Sequence, residues 1–177
     1  MKKLFYINIG LLFAACGPLI TTSNYNDLPD GWKERVVPLT TFEEVKMNQI
    51  TKINGNQLRE ELKKHPKAIV HTLANGCSSN LSLEEYEQFA VKNGYKLFIV
   101  MLGYEYTFLT YNQKRESPLY SIDTDYYTQK RRSVYGKNFL NDLLGRGINE
   151  KIEYEADYVF EYGQLMPGAG SKLKFES

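Results

Sequence analysis

From Asn48 onward the chain alternates short, nearly continuous apolar runs with stretches in which apolar residues recur every three or four positions. The first pattern suits strands and the second suits helices with one buried stripe. Asn48 to Ile53 predicts a short strand that ends in the turn residues Asn54-Gly55-Asn56. Leu58 and Leu62, four apart among charges, predict a surface helix. It ends near His65-Pro66, because the residue before a proline is pushed out of the helical region. Ala68-Ile69-Val70 opens an apolar strand that runs towards Ala74. Ser82 to Asn93 carries the clearest helix signal: Ser82 and Glu85 make a capping box, Tyr86, Phe89 and Ala90 a buried stripe, and Gly94 a stop. Tyr95 to Leu102 is almost wholly apolar, as expected of a strand covered on both faces.

An irregular stretch containing Ser117-Pro118 and Ile122-Asp123 precedes a second long helix, Arg132 to Leu144, with Phe139, Leu140, Leu143 and Leu144 inward and Gly145 as its stop. Tyr158-Val159-Phe160 predicts a strand, Tyr162-Gly163 a turn and Gln164-Leu165-Met166 the return. Leu173 and Phe175, alternating with lysines, read as an edge that closes the sheet. The order β-α-β-α-β-α-β-β predicts an α/β sandwich: a central mixed sheet with parallel strands inside, a hairpin at the edge and helices on both faces. Ile69, Val70, Phe98, Val100 and Phe160 are its expected core.

The first residues follow a different plan. Met1-Lys2-Lys3 is basic, and Leu4 to Ala15 is apolar apart from Asn8. This run is shorter than the about 20 residues a membrane-spanning helix needs, and it has the layout of a secretory signal. Its exit, Phe13-Ala14-Ala15-Cys16, resembles the lipobox of bacterial lipoproteins, with Phe13 in place of the usual leucine. The resemblance implies cleavage before Cys16, acylation of its sulfur and amine, and a membrane as partner. Residues 1–15 are then the signal, 16–34 a lipidated tether rich in turn formers (Gly17-Pro18, Leu28-Pro29-Asp30-Gly31), and 35–177 the domain. Gly17, rather than an aspartate, follows the cysteine, which leans towards the outer membrane of the cell envelope. Cleavage removes two lysines and no acid, so 22 basic residues against 21 acidic become 20 against 21, a formal charge of −1. Such a domain has no global field to attract nucleic acid. With Cys16 lipidated, Cys77 is the one remaining thiol, and no internal disulfide can form.

The element order, with a cysteine directly after the second strand and before the next helix, resembles the thioredoxin fold. Ile69 to Asn80, reading IVHTLANGCSSN, resembles the family's apolar strand leading into its active-site Cys-x-x-Cys. Cys77 falls on the nucleophilic cysteine, and Asn80 falls where the resolving cysteine would stand. Tyr158 to Leu165 resembles the penultimate strand and its glycine-containing turn. The departures bear on function. No proline occupies Tyr154-Glu155-Ala156-Asp157, where the family has its cis-proline. Leu73 and Gly76 replace both active-site tryptophans. A dithiol oxidoreductase needs one thiol to attack and another to resolve the mixed disulfide. The expectation is therefore a thioredoxin-like binding or scaffold module for an envelope protein partner, without dithiol turnover. The alternative is a monothiol exchanger in which Cys77 attacks and an external thiol resolves. A peroxidase-like thiol is disfavoured by Ala74, which stands where that class has threonine.

Other candidates reduce to structural roles. Cys77 and His71 are too few for a closed metal site, so no metal or other cofactor is expected. His71 as a base for Cys77 is disfavoured by the intervening strand, since the two stand six positions apart, and a hydrogen-bonded strand histidine is the simpler expectation. His65 sits in a polar turn. Lys130-Arg131-Arg132 reads as a solvated helix face rather than a nucleic-acid site. Gly168-Ala169-Gly170-Ser171-Lys172 lacks the GK[ST] of a phosphate loop. Asp123 and Asp125 have no spacing that implies paired acid–base work. The 14 tyrosines predict half-buried packing with hydroxyls at water.

Overall fold

The computed structural model describes residues 23–74, 82–173 and 175. Seven strands form one mixed sheet: β1 (Val36–Pro38), β2 (Ile50–Ile53), β3 (Lys67–Leu73), β4 (Lys96–Met101), β5 (Leu119–Ile122), β6 (Asp157–Glu161) and β7 (Gln164–Leu165). Their spatial order is β1-β2-β5-β4-β3-β6-β7. The first five positions are parallel, β6 runs antiparallel to β3, and β7 turns back antiparallel on β6.

The α/β class and the two-sided strands are as the residue pattern predicts. Along β4, Phe98 and Val100 join one core, while Leu97, Ile99 and Met101 join the other. Along β3, Ala68 and Val70 face the first and Ile69 the second. Helices α2 (Gly55–Leu62), α5 (Thr124–Tyr127) and α6 (Arg132–Leu143) cover one face; α3 (Leu83–Asn93) covers the other. Ile69, Val70, Phe98, Val100 and Phe160 are all buried. The capping box on α3 forms, with Ser82 Oγ accepting the Glu85 N–H and the Glu85 carboxylate accepting the Ser82 N–H, and Gly94 ends the helix at φ 71°. Asn54 and Gln57 cap α2 in the same reciprocal way, so the helix starts at once after β2. A Cβ on Gly55 would lie 2.2 Å from the Phe139 carbonyl oxygen, so glycine is what lets α2 and α6 pack this closely.

Three expectations are corrected. The stretch read as irregular contains β5, which sits between β2 and β4 and is buried at all four residues. The tether expected over 16–34 is part of the fold from Ser23: α1 (Asp30–Lys33) forms, Leu28 is buried in a core, and Trp32 meets Tyr111 edge-to-face at 5.0 Å. Leu173 and Phe175 do not extend the sheet. Phe175 packs on the rings of Tyr86 and Phe89, at 4.7 and 4.8 Å. A short helix unmarked in the residue pattern, α4 (Thr107–Tyr111), follows β4.

Candidate functional site

The chemistry-bearing groups that the fold brings together lie at the carboxyl end of β3. His71 belongs to this strand, and the antiparallel register places Asp157, the first residue of β6, directly opposite. His71 Nδ1 lies 2.8 Å from Asp157 Oδ1, and Asp157 Oδ2 accepts the Tyr86 hydroxyl at 3.0 Å. The imidazole rests against the Tyr86 ring, with centroids 4.1 Å apart. Only 3% of the His71 side chain is exposed, and 11% of Asp157. The tautomer that carries its proton on Nδ1 donates to the Asp157 carboxylate and leaves Nε2 as an acceptor. That Nε2 is buried and has no hydrogen-bond partner among the described residues. Burial first, then the Asp157 charge and hydrogen bond, raise the Tyr86 phenol well above its ordinary range, so it remains a donor. The site is braced from behind: a Cβ on Gly170 would meet the Asp157 carbonyl oxygen at 1.9 Å, which makes the Gly168–Lys172 stretch a packing element against β6.

Cys77 and Asn80, the residues singled out for thiol chemistry, lie outside the described residues, as does Cys16. The flanking residues are placed. Leu73 ends β3 with its carbonyl accepting the Leu102 N–H at 2.9 Å, and Ser82 opens α3. Strand β3 ends at Leu73, two residues beyond His71. In the stretch where the thioredoxin family has its cis-proline, the Ala156 carbonyl accepts the Thr72 N–H at 2.7 Å.

The remaining candidates have structural work. Asp123 caps α5, accepting the N–H groups of Asp125 and Tyr126, and Asp125 pairs with Lys52 at 2.6 Å. Within the basic run, Lys130 and Arg131 are exposed, but Arg132 turns inward to Glu105, so that run is not wholly a solvated face. His65 Nε2 lies 3.0 Å from Glu61 Oε1, one helical turn away. Several tyrosine hydroxyls bond inside the protein, while Tyr106, Tyr126, Tyr154 and Tyr162 are more than half exposed. Tyr127 accepts the Gly55 N–H and donates to Asp142, Tyr135 donates to the Leu102 carbonyl, and Tyr104 bonds Ser121. Among the described residues no three His, Cys, Asp or Glu side chains gather as a metal site requires, and no helix is long and apolar enough to cross a membrane.

Asp157 was not singled out in the sequence. It stands 86 residues from His71, and only the strand register reveals the pair. Comparison with protein families, characterised proteins and solved structures finds no match to this chain.

Proposed function

We propose that this chain is a lipid-anchored protein of the bacterial cell envelope whose domain is a degenerate thioredoxin-like module, binding or scaffolding an envelope partner without dithiol turnover. One observation supports this most directly. The residues bearing Cys77 link the end of β3, inside the parallel part of the sheet, to the capped start of α3, while the β6–β7 hairpin lies antiparallel on the other side of β3. That is the setting the thioredoxin resemblance implies for its reactive cysteine, with β5 as an addition. Asn80 stands at the resolving position, so a mixed disulfide formed at Cys77 has no internal thiol to release it.

The monothiol alternative draws on a different observation, the buried and unpartnered Nε2 of His71 held in one orientation by Asp157. A histidine so fixed is a suitable proton acceptor for a thiol. In that chemistry the Cys77 thiolate displaces one sulfur of a disulfide as a thiolate. An external thiol then attacks the mixed disulfide and returns Cys77 to the reduced form.

Thiolate absorbance titration separates the two. A Cys77 pKa near the ordinary value of about 8.5, with no repeated turnover of a disulfide substrate, supports the binding module. A value below about 7 that rises in His71→Gln supports monothiol exchange. Many cycles of disulfide reduction with an external thiol as the reductant, abolished by Cys77→Ser, would overturn the leading reading.

A further inference from the structure

Four large side chains at the carboxyl edge of the parallel strands are half or more exposed: Tyr106 (58%), Phe108 (51%), Leu109 (55%) and Tyr126 (52%). The first three belong to the loop and α4 that follow β4, and Tyr126 belongs to α5 after β5, the neighbouring strand. Tyr106 has φ 51°, left-handed backbone that a tyrosine rarely adopts, at the start of α4. Lys130 and Arg131, both exposed, follow on the α5 side. Of the acids nearby, Glu105 is paired with Arg132, Asp123 and Asp125 share Lys52, and Asp27 lines the same hollow as Lys130.

The chain enters the fold at this edge. The Ser23 carbonyl accepts the Tyr104 N–H at 2.8 Å, and the Tyr25 ring packs edge-on against Tyr104 at 5.4 Å. Asn24 and Asp27 line both a hollow of about 360 Å³ beside Tyr106 and Phe108 and one of about 500 Å³ beside Thr128 and Lys130. The entering segment therefore runs between the two loops. Six residues of chain lie between Cys16 and Ser23, and the seven steps fully extended reach roughly 25 Å.

We propose that this edge is a membrane-docking surface, with Tyr106, Phe108 and Leu109 seated in the headgroup region of an anionic phospholipid bilayer and Lys130 and Arg131 on its phosphates. The proposal rests on the lipid-anchor reading, because the short tether is what holds this edge at the bilayer. Aromatic side chains with a polar end favour the membrane–water interface, and cations near it are drawn to anionic lipid. The anchor makes this second contact intramolecular, so a few partly inserted side chains suffice where they would not hold an unanchored domain. Docking fixes the domain with the carboxyl edge inward and the far end of α3 outward.

The test uses the full lipidated chain in vesicles of phosphatidylcholine and phosphatidylglycerol brominated on their acyl chains. Trp32 is the only tryptophan, so Trp32→Phe gives a background free of indole. On it, Phe108→Trp places an indole at the proposed contact. Val91→Trp places one on α3 near the opposite edge, at a position 73% exposed. Expected is flotation of both with the vesicles, with bromine quenching several-fold stronger for Phe108→Trp than for Val91→Trp. Flotation with equal or absent quenching at the two positions would overturn docking and leave the anchor standing. Failure to float would overturn the anchor reading and docking together.

Discussion

Buried phenols carry much of the polar bonding inside this protein. Tyr127 shows why they are sensitive to change: it accepts the Gly55 N–H at 2.8 Å and donates to Asp142 at 2.9 Å, joining the start of α2 to α6. Removing that hydroxyl leaves a buried N–H without its partner. Tyr127→Phe should therefore cost about 1–3 kcal/mol in urea-induced unfolding. Burial, first among its causes, raises the pKa of Tyr127 in the folded chain, and the same holds for Tyr86, Tyr104 and Tyr120. Their folded-state values lie above the unfolded value of about 10. The stability that these neutral phenols contribute is fully present below that pH and is lost as pH rises above it. Urea midpoints measured across the alkaline range should fall steadily, and the fall should be shallower in Tyr127→Phe. A midpoint that stays constant well above pH 10 would contradict the burial assigned to these groups.

At the scale of elements, the helix ends were legible because their signals are local. Ser82 and Glu85 stand three apart, and the two hydrogen bonds they make are those the spacing demands. Ser82→Ala should cost about 1 kcal/mol, read as a lower thermal midpoint, while Ser82→Asp retains most of the stability. β5 was not legible for the opposite reason. Leu119-Tyr120-Ser121-Ile122 has four residues, two of them polar-ended, directly after a proline. Nothing local makes it a strand. It becomes one because β2 and β4 offer hydrogen-bonding edges on either side, and two helix-covered faces then bury it.

For the whole molecule, stability rests on the two cores that sandwich the sheet. Phe98 is 1% exposed in the larger of them and meets the rings of Phe42 and Tyr120. Phe98→Ala should cost about 3–5 kcal/mol by denaturant unfolding, because the surrounding sheet can close only part of the void. A loss below about 1 kcal/mol would mean that this face is not the packed core described. The same topology makes the candidate site. β3 and β6 are distant in the chain, and pairing them antiparallel sets Asp157 opposite His71 beneath Tyr86.

Features that depend on neighbours a few residues apart could be read along the chain: the two-sided apolar runs of β3 and β4, the caps of α3, the hairpin turn at Tyr162-Gly163 and the α/β class that follows from their order. The sequence also carried the Phe13-Ala14-Ala15-Cys16 exit and Cys77, on which the functional proposal depends. Tertiary structure alone decided the place of β5, the inward turn of Arg132 to Glu105, the packing of residues 23–33 onto the domain and the His71–Asp157–Tyr86 cluster. Each of these is a pairing between residues far apart in the chain. Its free energy comes from burial and register that exist only once the sheet has assembled, so no local pattern announces it.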